Sequence, residues 1–136
     1  MMAKPLPEVS QLTKPFWDGA KNGELLLQKC KRCGGHQWYP RYSCHKCGSP
    51  DLEWSKASGL GRVYSFTVIR KVIGNSPDFA NDIPFVVAEI DLDEGVRVYS
   101  NIIGVKPEDV QIGMRVRVAF EEASPEIHLF RFRPAT

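Results

Sequence analysis

The sequence predicts a mainly β protein made of a short N-terminal helical segment, a four-cysteine metal ribbon and a five-stranded barrel. Three observations carry this expectation. Four cysteines fall within eighteen residues, in two C-x-x-C-G turns. Residues 62–133 break into five β-branched and aromatic stretches separated by Gly, Pro and Asp. Several of those stretches alternate apolar and polar residues with period two. At 136 residues the chain can hold one small core plus a metal-stapled module, but not two full domains. The expected divisions are a helical segment over 1–24, a ribbon over 25–56 and a barrel over 57–136.

Residues 10–24 read as a short helix, with Thr13 as its cap, Pro15 tolerated in the first turn, and Gly19 and Gly23 as stops. Phe16, Trp17 and Ala20 make its apolar side. Isolated helices shorter than roughly 12–15 residues are marginal in water, so this one must pack on something. The ribbon is entered through Leu25, Leu26 and Leu27 and left through Leu52 and Trp54. Gly59 and Gly61 are read as a flexible entry to the first barrel strand, 62–73. A polar loop with Gly74, Asn75, Pro77 and Asp82 follows. Strands 84–92 and 96–103 meet across Asp93, Glu94 and Gly95, a hairpin-length link with Gly where positive φ is needed. In 114–121, Met114, Val116, Val118 and Phe120 alternate with Arg115, Arg117 and Ala119, and the last strand is 127–133. Five strands with an irregular link between the third and fourth fit a Greek-key barrel of the OB type. A small sandwich is the alternative, because strand count does not fix topology.

The cysteines read C-K-R-C-G, ten residues, then C-H-K-C-G. Two thiolate pairs of this spacing form a tetrahedral sulfur cage with zinc–sulfur bonds of about 2.3 Å. Gly34 and Gly48 let the backbone curl so that amides face the thiolates. The expected cofactor is Zn2+ on Cys30, Cys33, Cys44 and Cys47. Iron can occupy such a site too. Disulfides and thioredoxin-like redox chemistry fit less well, since the latter uses one C-x-x-C at a helix start. With four protein ligands no position stays open for substrate, so the expected metal role is structural.

Charge is divided unevenly. Residues 1–50 carry eight Lys/Arg against three Asp/Glu, and residues 51–136 ten against thirteen, so the halves net +5 and −3. A basic front half fits an anionic ligand; an acidic back half fits a phosphate backbone poorly. No apolar run approaches the roughly 20 residues of a membrane helix, and the N-terminus, with Pro5, Pro7 and Pro15, lacks the apolar core of a secretory signal. The expectation is a cytoplasmic protein.

The segment C-K-R-C-G-G-H-Q-W-Y-P-R-Y-S-C-H-K-C-G-S, with Trp54 and then G-R-V-Y-S-F-T-V-I, resembles the acyl-CoA-associated zinc-ribbon plus OB-fold family of bacteria and archaea. The upstream P-F-W-D-G-A-K-N-G-E-L-L and downstream G-M-R-V-R-V-A-F extend the likeness over nearly the whole chain. Pro40, Arg41 and the F-W-D-G helix make it more specific than the cysteines alone. The chain departs in having Tyr39-Pro40 where two prolines are usual, and His45 where Pro is common. The resemblance implies a rubredoxin-like ribbon and an OB barrel. It also implies an accessory subunit, without catalysis of its own, beside thiolase-superfamily or hydratase-like enzymes acting on acyl-CoA. In archaeal members it implies a bridge between acetoacetyl-CoA thiolase and 3-hydroxy-3-methylglutaryl-CoA synthase.

Phe16, Trp17, Tyr39 and Arg41 are therefore the candidate ligand residues. Aromatics flanking a cation could line a channel for pantetheine, while Arg41 with Lys29, Lys31 or Arg32 meets CoA phosphates. The competing reading is that Trp38 and Tyr39 cover the ribbon core and pin the helix. His36 and His45 are expected on the surface. Asp91, Asp93 and Glu94 are read as a solvated hairpin tip, and no nucleophile-elbow or phosphate-loop pattern occurs. The expectation is a non-enzyme. A nucleic-acid-binding ribbon and OB module is the alternative, with Phe66, Tyr99 and Phe132 as stacking candidates.

Overall fold

In the computed structural model residues 6–71 and 83–135 are described. The end of the first barrel strand expected at 72–73, and the loop containing Gly74, Asn75, Pro77 and Asp82, lie outside the described residues.

Helix α1 is Lys14–Lys21, eight residues and shorter than the expected 10–24. Thr13 precedes it but its side chain makes no cap to the helix. Instead Ser10 and Thr13 bond each other: the Ser10 amide donates to Thr13 Oγ1 at 3.1 Å and the Thr13 amide to Ser10 Oγ at 3.2 Å. The helix stops at Gly23, whose φ of +76° closes a Schellman turn. There Gly23 N–H donates to Ala20 O and Glu24 N–H to Gly19 O. Gly19 is no stop. A Cβ there would lie 2.7 Å from Leu26 Cγ, so glycine allows α1 to seat on the strand that follows.

That strand, β1 (Leu26–Cys30), is the centre of a three-stranded antiparallel sheet between β2 (His36–Gln37) and β3 (Leu52–Lys56). A closed barrel follows, formed by β4 (Leu60–Ile69), β5 (Phe85–Leu92), β6 (Arg97–Ile102), β7 (Arg115–Glu122) and β8 (His128–Pro134). Its order is β4-β5-β6-β8-β7, closed by β7 against β4. This is the OB topology; the sandwich alternative is excluded. A 3-10 turn at Pro107–Asp109 lies in the irregular link between β6 and β7.

Alternation does its expected work in β5, where Val86, Ala88, Ile90 and Leu92 are buried. Gly61 is not a flexible entry but part of β4: a Cβ there would meet Asp91 O at 2.7 Å. The parallel pair β6–β8 touches in register at Ile102 and Phe132. Where the strands diverge, Ser100 Oγ donates to Phe130 O at 2.8 Å. The hairpin tip is also corrected. Asp91 accepts from Arg97 Nε at 2.6 Å, both Asp93 oxygens accept from Arg115, and Glu94 Oε2 accepts from the Ser58 amide at 2.7 Å. The acidic cluster is thus bound to arginines and to the inter-sheet link rather than merely solvated.

One apolar cluster runs through both sheets. Phe16, Leu25, Leu27 and Ala57 belong to the same buried set as Val63, Ile90, Val98, Val116 and Phe132 of the barrel. Among the described residues no helix is long and apolar enough to cross a membrane.

Candidate functional site

The four cysteine sulfurs converge at the tip of the three-stranded sheet, all within 4.8 Å of one another. Cys30 and Cys47 sulfurs are 3.6 Å apart, as are those of Cys33 and Cys44. A tetrahedron with bonds of about 2.3 Å has edges of about 3.8 Å, so the cage fits zinc. The local cause is a repeated turn. Gly34 and Gly48 both sit at φ +77°, and each donates its N–H to the carbonyl of the first cysteine of its pair at 2.9 Å. That closure aims the Cys33 amide at Cys30 Sγ and the Lys46 amide at Cys44 Sγ, both at 3.4 Å. The glycines therefore act by closing the turn, and neighbouring amides meet the sulfur.

These amides set the thiols' acidity. The Cys33 amide, then that of Arg32, holds Cys30 below its ordinary value against the opposing effect of burial. The Cys47 and Lys46 amides hold Cys44 at about 6. Cys47 receives the same kind of help from the Ser49 amide. Burial and the other three sulfurs outweigh it and push Cys47 up to about 11. Held by these four sulfurs, a divalent cation would offset that mutual repulsion, so that all four could bind as thiolates.

Beneath the cage lies a polar network that the sequence did not reveal. Gln28 and Gln37, both 4% exposed, face each other across β1 and β2. Gln37 Nε2 donates to Gln28 Oε1 at 2.7 Å. Gln28 also accepts from the Arg41 amide at 2.8 Å and donates to Arg41 O at 2.9 Å. Gln37 Oε1 accepts from the His45 amide at 3.0 Å and lies 2.9 Å from His45 Nδ1. Two buried amides thus hold the inter-cysteine loop. The available signal was Gln28 itself, a polar residue directly after Leu25, Leu26 and Leu27 and two places before a ligand cysteine.

The candidate aromatics are brought together. Phe16 contacts Trp17, Trp38 and Phe130 at ring separations of 5.0, 4.8 and 5.6 Å, and Trp38 stacks on Tyr39 at 5.6 Å. Phe16, a candidate ligand residue, is 3% exposed and instead joins helix, ribbon and barrel. Trp38 pins the helix, as the packing reading expected. Tyr39 is 57% exposed. Arg41 is exposed, with its backbone fixed by Gln28, and stands apart from the groove described next.

That groove, about 350 Å³, opens between α1 and the outer face of β5, β6 and β8, with Trp17, Val87, Tyr99, Leu129 and Phe130 among its walls. A second cavity of about 420 Å³ adjoins it and shares Phe85, Asn101 and Arg131. Arg131 Nε donates to Glu121 at 3.1 Å, and Asn101 Nδ2 to Val86 O at 2.8 Å. Sequence reasoning missed Phe130, Asn101 and Arg131, because only the fold brings β8 beside β6 and the helix. Of the three stacking candidates, Phe132 is fully buried and Phe66 packs against the core, which leaves Tyr99 accessible.

Comparison with known proteins agrees with this architecture. Two family models match adjoining stretches: the ChsH2 rubredoxin-like zinc ribbon domain over residues 17–53 and the ChsH2 C-terminal OB-fold domain over 54–121. A DUF35 domain-containing scaffold protein of Methanocaldococcus jannaschii is 40% identical over 71% of this chain and 67% of its own length. A probable enoyl-CoA hydratase alpha subunit of Thermomonospora curvata is 36% identical over 97% of this chain, but the chain spans only 40% of that relative. A solved structure titled Ltp2-ChsH2(DUF35) aldolase superposes with a TM-score of 0.85 at 34% identity, covering 96% of this chain and all of the matched one. The four-sulfur ribbon, the closed five-stranded barrel and these likenesses together place the chain in the DUF35, or ChsH2-type, family of zinc-ribbon and OB-fold proteins.

Proposed function

We propose that the chain is a subunit without catalysis of its own, which assembles with a thiolase-superfamily enzyme and receives acyl-CoA, or its pantetheine arm, in the groove between α1 and the barrel. The observation that carries the reading is the groove, a cleft with one aromatic wall on a helix, an apolar floor on β5 and β8, and the Asn101 amide and Arg131 guanidinium beside it. An amide-containing apolar arm needs apolar walls with few, well-placed polar groups. Trp17 is a groove wall, whereas Tyr39 and Arg41 belong to the ribbon loop, where Arg41 and neighbouring lysines would meet CoA phosphates. Zinc and the glutamine pair hold that loop still, and Zn2+ itself serves structure. The hydratase subunit and the aldolase complex among the similar proteins support a catalytic partner. A narrower form has the chain bridge acetoacetyl-CoA thiolase and 3-hydroxy-3-methylglutaryl-CoA synthase. A cytosolic setting, where thiols stay reduced for metal, belongs to the same reading.

The test is co-expression with thiolase-superfamily enzymes of the same organism, affinity purification, and calorimetry with CoA. Co-purification, together with CoA binding that weakens at least about tenfold in Trp17→Ala, supports the reading. Failure of any such enzyme to co-purify, with oligonucleotides bound more tightly than CoA at physiological salt, replaces it with the nucleic-acid alternative.

A further inference from the structure

We infer that the cavity beyond the groove, walled by the link between β6 and β7, takes the acyl group of the ligand, and that Asn101 and Arg131 at its mouth hold an amide of the pantetheine arm. The inference rests on the ligand reading above. It adds a second site, the residues that read the ligand and the direction in which the ligand lies.

Strand pairing makes the mouth. Ile102 of β6 and Phe132 of β8 pair in parallel and are both buried. Side chains alternate along a strand, so Asn101 and Arg131, one residue earlier on each, leave the barrel side by side on its outer face. Both residues line both cavities. On one side lies the groove under Trp17; on the other lies the cavity of about 420 Å³, closed by Ile103, Val105 and Pro107 of the link. Its volume falls within the range of small-molecule sites, about 300–1,000 Å³. The root of its far wall is fixed, since the Ile103 N–H donates to Phe132 O at 2.8 Å.

The polar groups at the mouth match one chemical group. Asn101 Nδ2 donates to Val86 O at 2.8 Å, which fixes the side chain and leaves Oδ1 as an acceptor. Arg131 gives its Nε–H to Glu121 at 3.1 Å, and among the described residues its terminal nitrogens have no partner. An acceptor thus stands beside a pair of donors, and a secondary amide presents the complementary N–H and C=O. A carboxylate offers acceptors only. Glu121 already balances the guanidinium, so a second anion would leave the mouth net negative. The direction follows from the ribbon. Trp38 stands edge-on to the groove wall Phe130 at 5.6 Å and stacks on Tyr39, so the groove adjoins the loop that carries Arg41. With the CoA phosphates on that loop, the arm runs past Trp17, its amide reaches Asn101 and Arg131, and the acyl group enters the cavity beyond.

The test is calorimetry of the zinc-loaded chain with CoA and with octanoyl-CoA, for wild type, Ile103→Trp and Arg131→Met. Zinc content and melting temperature serve as folding checks, and Ile103→Phe and Arg131→Gln replace any variant that fails them. Wild type should bind octanoyl-CoA at least about tenfold more tightly than CoA, the equivalent of about two buried methylenes. Ile103→Trp fills the cavity, so it should bring the two ligands within about fourfold, one methylene's worth, with CoA affinity unchanged. Arg131→Met should weaken both ligands alike, by at least about tenfold, because it removes a bond to the part they share. A general loss of structure would not produce that split. Equal wild-type affinity for the two ligands, or a preference that survives in Ile103→Trp, overturns the acyl cavity while the groove reading stands. Arg131→Met binding both ligands as wild type does overturns the amide contact. No CoA binding by wild type, with a thiolase-superfamily enzyme still co-purifying, overturns the ligand groove and this inference while assembly with the partner stands.

Discussion

Replacing Phe16 with Ala should detach helix α1 from the rest of the molecule. An eight-residue helix has little stability of its own, so its place depends on the few side chains it buries, Phe16 and Ala20 foremost. Burying a phenylalanine side chain stabilises by about 1.5–3 kcal/mol, and aromatic edge contacts add about 0.5–1.5 kcal/mol per pair. Phe16 makes such contacts with Trp17, Trp38 and Phe130. Truncations of this kind in cores cost about 3–5 kcal/mol. The site lies at an edge where the helix can lift away rather than leave a rigid cavity, so we expect the lower end, about 3 kcal/mol. For a chain of this length that corresponds to a fall of about 10–15 °C in melting temperature. Urea unfolding followed by tryptophan fluorescence would measure it directly, because Trp17 and Trp38 flank the altered residue. Trp17→Ala should cost less than half as much, since Trp17 is only partly buried. A loss below about 1 kcal/mol for Phe16→Ala, or an equal loss for Trp17→Ala, would refute the assignment of Phe16 as the tie between helix, ribbon and barrel.

Protein purified without chelator should carry one zinc per chain, and Cys33→Ser should lose tight metal retention and partner association together; elemental analysis and co-purification check both. Gln28→Leu removes the acceptor of the Arg41 amide and leaves the buried Gln37 side chain only Ser43 O at 3.4 Å, and at about 1–3 kcal/mol for an unpaired buried group the loss should be plain in urea titration. Amide exchange at Arg41 should accelerate in the same variant. Arg115 holds the Asp93 carboxyl below its ordinary value. The stability it contributes is therefore full above the unfolded carboxylate value of about 3.9 and is lost as pH falls through the lower folded value. Asp93→Asn should melt at a lower temperature at pH 7, with the gap from wild type closing toward pH 3; a constant gap across that range would count against the pair.

The metal centre was legible because its chemistry is local: the spacing of Cys30, Cys33, Cys44 and Cys47 dictates two turns whatever surrounds them. The barrel strands were legible through alternation, and the Asp93–Gly95 link through its glycine, which sits at φ +87°. What stayed hidden depends on residues far apart in the chain. Gly19 and Gly61 read as a stop and a hinge, yet each is small because another segment presses on it. Thr13 had a cap's composition, but Ser10 competes for its hydroxyl at three residues' distance. Gln28 and Gln37 found each other through strand pairing that no period in the sequence encodes, and the groove exists because β8 returns beside β6.

The apolar cluster shared by ribbon and barrel bears on how metal status is felt. Leu25, Leu27 and Ala57 lie in one buried set with the barrel's Val63, Ile90 and Phe132, so ribbon and barrel share buried apolar surface across the link at residue 57. A chain cut there would leave the barrel with an uncovered apolar flank around Phe130, inviting aggregation. By the same coupling, zinc bound to the folded ribbon stabilises the barrel in proportion to the logarithm of free metal over its dissociation constant. Scarcity of the ion would loosen the groove about α1 before any sulfur was chemically altered, so the packing of Trp17 on the barrel becomes a readout of the zinc supply around it.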